Sequence, residues 1–193
     1  MARPKMFDRT ERLDKAMELF WSRGYEATSI HDLLVHLGIN RQSLYDTFGD
    51  KHTLFLETLK RYEELGKPPM LAELEGPGSG KEAIERLFRN TIESYERGRP
   101  RRGCFMVNAT IELAAHDAEV AQCVAKSFAR TQQAFLHALT RAQEQGELHT
   151  QRDLESLARF LTTALHGLQV AVKAGADLAD LRDTASVALS VLS

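Results

Sequence analysis

Between Gly24 and Asp50 the sequence stops and restarts a helix three times, and this punctuation constrains the fold more than any other feature of the chain. Upstream of it, Leu13, Ala16, Met17, Leu19 and Phe20 recur at helical spacing until Gly24 and Tyr25 end the pattern, which predicts a first helix over 9–23. Thr28 or Ser29 can cap a second, short helix through Leu37, with Ile30, Leu33, Leu34 and Leu37 on one side and Gly38 closing it. Asn40 caps a third helix, whose Leu44 and Phe48 point inward, and Gly49 breaks it. Asp50 caps a fourth, along which Leu54, Phe55, Thr58, Leu59 and Tyr62 run at helical spacing to about Leu65.

Residues 67–81, KPPMLAELEGPGSGK, hold three prolines and three glycines, which predicts a loop and a boundary between subregions. Helical periodicity resumes beyond it, over about 80–97, 104–115, 118–145, 153–174 and 178–192. No segment sustains the alternation of a strand, so the expected fold class is all-α with about nine helices. The 43% hydrophobic fraction of these 193 residues is enough for a real core.

The formal charge of -2 excludes a strong nonspecific nucleic-acid binder, and residues 1–66 themselves hold 10 Lys and Arg against 11 Asp and Glu. Any nucleic-acid site must be local. Two cysteines, Cys104 and Cys123, are too few for a disulfide scaffold and fit a reducing compartment, so cytoplasmic placement is expected. No apolar run is long enough to span a bilayer, and no membrane partner is expected.

The second helix, the Gly38-Ile39-Asn40 turn and the third helix have the proportions of a helix-turn-helix, in which the first helix braces on the DNA backbone and the second enters the major groove. With Asn40 as the cap, Arg41, Gln42 and Ser43 form the first turn of the inserted helix. Arg pairs with guanine and Gln with adenine through two hydrogen bonds each, giving roughly 1 to 3 kcal/mol of base discrimination per pair. Ser43 and Tyr45 can donate to phosphates, and Lys51 adds a charge beside the free N–H groups that open the fourth helix. Thr28 and Ser29, at the start of the bracing helix, complete the expected DNA-binding set.

From Phe7 to Tyr62 the sequence resembles the DNA-binding domain of TetR-family transcriptional regulators, in AMELFWSRGYEATSIHDLLVHLGINRQSLYDTFGDKHTLF. The specific part is the glycine, aliphatic residue and cap of the turn, then Leu44-Tyr45, Phe48, Asp50-Lys51 and Leu54-Phe55 at the family's spacing. The resemblance implies a DNA-binding domain over 1–49, a linking helix over 50–66, and an effector-binding and dimerisation domain over 67–193. It further implies a repressor, released from double-stranded DNA carrying a palindromic operator by a small-molecule or redox effector. Leu34 and Leu37 stand where the family usually has small residues, and Asp46 where a basic one is common; Asp46 can pair with a neighbour such as Arg41. Arg3 and Lys5 form either a plain terminus or a basic arm for the minor groove.

Residues 103–121 resemble a segment found after the first C-terminal helices of several TetR subgroups, and some family members sense electrophiles or oxidants through a cysteine near this position. Arg101, Arg102 and a helix N-terminus near Cys104 favour a thiolate, although an isolated cysteine is also an ordinary small buried side chain. Both readings stand at this level. With Cys104, the residues Phe105, Val107, Asn108, Ile111, Phe128, Phe135 and His166 can line an effector pocket or simply fill the core.

Further on, Leu157, Phe160, Leu161, Ala164, Leu165, Leu168 and Val172 form an apolar stripe, repeated by Leu178, Leu181, Ala185, Ala188, Leu189 and Leu192. Two such helices from each of two chains can form a four-helix homodimer interface that sets two recognition helices about one DNA turn apart.

The histidines and cysteines lack metal-ligand spacing, and neither a metal nor a cofactor is expected. GPGSGKE at 76–82 fails as a Walker A loop, because Glu75 stands where the first glycine belongs and Glu82 where Ser or Thr belongs. An enzyme is therefore not expected. The alternative to a regulator is an all-α protein-interaction module whose helix-turn-helix no longer binds DNA.

Overall fold

The computed structural model describes residues 7–150 and 152–193, with backbone alone at 66–70. Nine α-helices and a closing 3-10 turn follow one another, with no strand among the described residues: α1 Arg9–Arg23, α2 Ile30–Leu37, α3 Arg41–Phe48, α4 Lys51–Glu75, α5 Gly80–Glu96, α6 Phe105–Leu113, α7 Ala118–Glu144, α8 Leu154–Lys173, α9 Leu178–Leu189, then Ser190–Leu192.

The first four helices begin at side-chain caps. The Asp8 carboxylate accepts from the amides of Thr10 and Glu11, and Ser29, not Thr28, caps α2 in a reciprocal box with Asp32. Asn40 accepts from the Ser43 amide and Asp50 from that of Thr53. Gly38 sits at φ 64, ψ 37, where its amide reaches back to the carbonyls of Leu34 and Val35.

One expected break is absent. α4 does not end near Leu65; it continues through Pro68 and Pro69 to Glu75, and the loop expected over 67–81 shrinks to 76–79. The reason lies far away in sequence. Leu71 and Leu74 are buried among α5, α7 and α8 side chains, Arg141 Nη2 donates to the Leu74 carbonyl at 2.9 Å, and Asn90 donates to Glu73 at 2.8 Å. Each buried leucine contributes about 1.5 to 3 kcal/mol, which offsets the local preference for a break.

The core has two parts. The first joins α1 to α4 with α6 and the start of α7, around Phe20, Leu33, Leu44, Phe48, Phe55 and Phe105. The second joins the end of α4 with α5, α7, α8 and α9, around Leu74, Phe88, Phe135, Leu139, Leu161 and Leu165.

The stripe expected to form the dimer interface is largely spent inside this second core. Leu157, Leu161, Leu168, Leu181 and Ala185 are buried within the single chain, because α8 packs on α7 and α9 while α9 also packs on α5. Phe160 remains 45% exposed and Ala164 and Leu189 are half-buried, while Val170 and Val187 add apolar surface that the stripe did not include.

GPGSGKE also acquires a structural role. Ser79 caps α5, Lys81 N–H and Ser79 Oγ both donate to Glu147 Oε2, and Gly80 lets α5 touch α7.

Candidate nucleic-acid interface

The short helix α3 is held by its own apolar side and by its neighbours. Leu44 and Phe48 are buried in the first core, and the Arg9 guanidinium lies 5.0 Å from the centre of the Phe48 ring while bonding both Glu57 oxygens at 2.7 and 2.8 Å. Arg61 Nε donates to Asp14 at 2.7 Å, fastening α4 to α1 a turn further on. These braces leave the first turn and one flank of α3 facing outward.

On that outer side Arg41 and Gln42 are exposed, Tyr45 is 42% exposed and Ser43 is half-buried beside its cap. Lys51 opens α4 next to them, its ammonium 4.1 Å from the centre of the Tyr25 ring. Ser29 is exposed at the start of α2. Of the residues expected to meet DNA, Ser29, Arg41, Gln42 and Tyr45 are thus exposed and Ser43 and Lys51 half-buried, at the starts of α2 and α4 and in the first turns of α3.

Thr28 does not join them. It is fully buried, and its hydroxyl donates to the Gly24 carbonyl at 2.6 Å, closing the turn between α1 and α2. Arg3 and Lys5 lie outside the described residues. Asp46 pairs with Gln42, whose Nε2 donates to its Oδ1 at 2.8 Å, and not with Arg41; residues four apart share a helix flank, whereas those five apart diverge.

The three acids that cap or box these helices are held below the usual carboxylate range. For Asp32 the main cause is the Ser29 hydroxyl, for Asp50 the Thr53 amide, and for Asp117, at the start of α7, the Val120 amide followed by His52.

The N-terminal helices are tied to the rest of the chain by contacts that no local sequence pattern announces. Glu112 of α6 accepts from the amides of Tyr25 at 3.0 Å and Glu26 at 2.8 Å. His52 Nε2 meets Asp117 Oδ2 at 2.6 Å, and Trp21 Nε1 donates to the Gly103 carbonyl at 3.2 Å.

Behind these contacts lies a cavity of about 50 Å³ between α4, α6, α7 and α8. Of the residues expected to line a pocket, Cys104, Phe128 and His166 do so, with the Phe128 and His166 rings 4.1 Å apart. The others do not. Phe105 is packed among Trp21, Phe55 and Tyr62, Asn108 donates to the Arg102 carbonyl, and Ile111 is 72% exposed because it lies on the outer side of α6. Val107 and Phe135 are core residues.

Tyr62, Glu63, Ser127 and Gln169 line the cavity and were not anticipated, since polar residues scattered over three helices share no sequence motif. Tyr62 O–H donates to Cys104 Sγ at 3.6 Å, and burial raises its phenol well above the ordinary value. Ser127 Oγ donates to Glu63 Oε1 at 2.6 Å. A larger open groove of about 640 Å³ runs between α5 and α9, floored by Phe88, Ile92, Ala185 and Leu189 and crossed by the Arg182–Glu96 ion pair.

Residues 13–58 match the family model for bacterial regulatory proteins of the tetR family, and residues 80–187 match that for the tetracyclin repressor-like C-terminal domain. The chain is also 42% identical to the HTH-type transcriptional regulator YezE of Bacillus subtilis (strain 168), over 193 residues that cover 100% of each chain. The chain belongs to the TetR family.

The HTH-type transcriptional repressor ComR of Escherichia coli (strain K12) is 32% identical to this chain, over 97% of this chain and 90% of its own. A cysteine-substituted variant of the TetR-family regulator CifR, solved with 26-base-pair operator DNA, is similar in structure with a TM-score of 0.88. It is 31% identical, with 99% of this chain and 100% of that one covered. The tetR-family match over residues 13–58 runs from α1 into the start of α4 and contains the α2–α3 helix-turn-helix, the DNA-binding part of a transcriptional regulator. Among the described residues no helix is long and apolar enough to cross a membrane.

Proposed function

We propose that this chain is a homodimeric repressor that binds a palindromic operator in double-stranded DNA and is released from it by a small-molecule or redox effector. The observation that carries the reading is the outward first turn of α3, where Arg41 and Gln42 stand exposed on a helix whose other side is fixed by Leu44, Phe48 and the Arg9 brace. Arg41 and Gln42 read base edges; Ser29, Ser43, Tyr45 and Lys51 hold phosphates.

In this reading the head extends to residue 49, α4 links it, and residues from 67 onward bind effector and dimerise. The exposed outer sides of α8 and α9, with Phe160, Val170 and Val187, pair two chains. Repression is supported by the similarity of this chain to ComR and to BdcR of Escherichia coli (strain K12), both HTH-type transcriptional repressors, and by the operator complex of CifR. The protein acts in the cytoplasm, where its DNA is.

The internal cavity lies against Tyr62 of α4, the helix that begins at Lys51, and at about 50 Å³ it must widen to admit an effector; an occupant that holds it open with α4 shifted biases the head by its differential affinity for the two geometries. Comparison of two variants tests the base and phosphate roles. Arg41→Ala is expected to relax base preference at one position of each half-site; Lys51→Ala is expected to weaken binding to all sequences and lower the salt slope by about one unit. Equal losses in both variants with unchanged base preference contradict the assignment.

A further inference from the structure

The reading above leaves an acid on the very flank that is to meet DNA. Asp46 is exposed on α3, and it accepts from Gln42 Nε2 at 2.8 Å. An ionised carboxylate only accepts hydrogen bonds, so the carboxamide beside it must turn its NH2 group toward Asp46. One amide hydrogen is then engaged, and Gln42 keeps one N–H donor and one C=O acceptor for anything in front of it. Exclusion of water on docking strengthens such a bond.

The remaining pair has a definite complement. In the major groove adenine presents the N7 acceptor beside the N6 donor, matching one donor and one acceptor. Guanine presents two acceptors, N7 and O6, and asks for two donors. A free glutamine can turn both amide hydrogens toward guanine; Gln42 held by Asp46 has one to give, and its oxygen then faces an acceptor. Cytosine offers a donor alone and thymine an acceptor with a methyl group, so each leaves half of the amide unpaired.

We propose that Asp46 is a positioning residue for base recognition: by holding one amide hydrogen of Gln42 it makes Gln42 select adenine and reject guanine. This rests on the operator-reading role proposed for α3. The carboxylate has a second effect, because a negative charge on the DNA-facing flank opposes every phosphate nearby and lowers affinity for all sequences alike.

The test is selection of DNA sites by the full-length protein, followed by competition between operators differing at single base pairs. Gln42→Ala locates the base pair that Gln42 reads. At that position the unsubstituted protein is expected to prefer adenine, and Asp46→Ala to reduce its adenine-to-guanine ratio about tenfold, the size of one good bidentate contact, with other positions unchanged. Overall affinity rises in the same variant. In a Gln42→Ala background, Asp46→Ala is expected to change no base preference, since it acts through Gln42. The proposal is overturned if Asp46→Ala keeps the ratio, or if the Gln42 position does not favour adenine in the unsubstituted protein. Enrichment of no site at all by the unsubstituted protein removes the operator reading itself and this proposal with it.

Discussion

Single residues decide the helix-turn-helix. Gly38 sits in the left-handed region at φ 64, and a Cβ built there meets nothing within 4 Å, so a side chain is opposed by backbone conformation alone. Gly38→Ala is therefore expected to cost about 1 to 2 kcal/mol in urea unfolding, with Gly38→Asn costing less because Asn tolerates this conformation. Equal cost for the two variants contradicts a purely conformational role. This residue was legible in sequence because its cause is local: an apolar run, a glycine, an aliphatic residue and a cap within a few positions. Thr28 was not legible in the same way. Its neighbour Ser29 is an equally good cap by type, and only the reach of the Thr28 hydroxyl to Gly24 turns it inward.

At the scale of elements, caps and crossings carry different information. The starts of α2, α3 and α4 follow directly from Ser29, Asn40 and Asp50, which is why those boundaries could be read from the chain. Asp32, Asp50 and Asp117 are all held below their unfolded carboxylate values, so their stabilising contribution is complete above the unfolded value of about 3.9 and is lost as pH falls through the lower folded values. Helical signal is expected to stay level from about pH 7 to 5 and to fall only below about pH 4, with Asp117→Asn less acid-sensitive; a transition centred near pH 6 contradicts this.

Helix crossings are less visible in sequence. At the start of α5 a Cβ on Gly80 would lie 2.1 Å from the Ala138 carbonyl oxygen and 2.7 Å from the Ala142 nitrogen. Alanine gains about 1 kcal/mol of helix preference over glycine, but overpacking costs typically 1 to 3 kcal/mol and here the clash is with backbone. Gly80→Ala is expected to lower stability despite its better propensity, and a stabilised variant rules out the close crossing. The length of α4 belongs here too. Pro68, Pro69 and Gly76 predict a break, whereas the burial of Leu71 and Leu74 against helices far along the chain extends the helix to Glu75.

For the molecule as a whole, sequence supplied the all-α class and most of the head, because both rest on periodicity and capping. It did not supply the surfaces between elements. Apolar stripes on α8 and α9 look alike whether they face a second chain or their own core, and Leu157, Leu161, Leu168, Leu181 and Ala185 prove to face the core. The cavity took three of its expected residues, Cys104, Phe128 and His166, and recruited Tyr62 from the helix that begins beneath the head. Glu112 and Asp117, which fasten the head to α6 and α7, have partners 87, 86 and 65 positions away and no motif to mark them. These ties fasten the N-terminal helices to α6 and α7, and in the function proposed above two such heads in a symmetric dimer read two half-sites together.

That joint reading is the central claim, and selection of binding sites from random double-stranded DNA by the full-length protein tests it most directly. The expected result is a palindrome with half-sites about one helical turn apart, whose enrichment is lost when Arg41 and Gln42 are both replaced by alanine. Failure to enrich any palindrome, or the same palindrome enriched by the doubly substituted protein, contradicts the account.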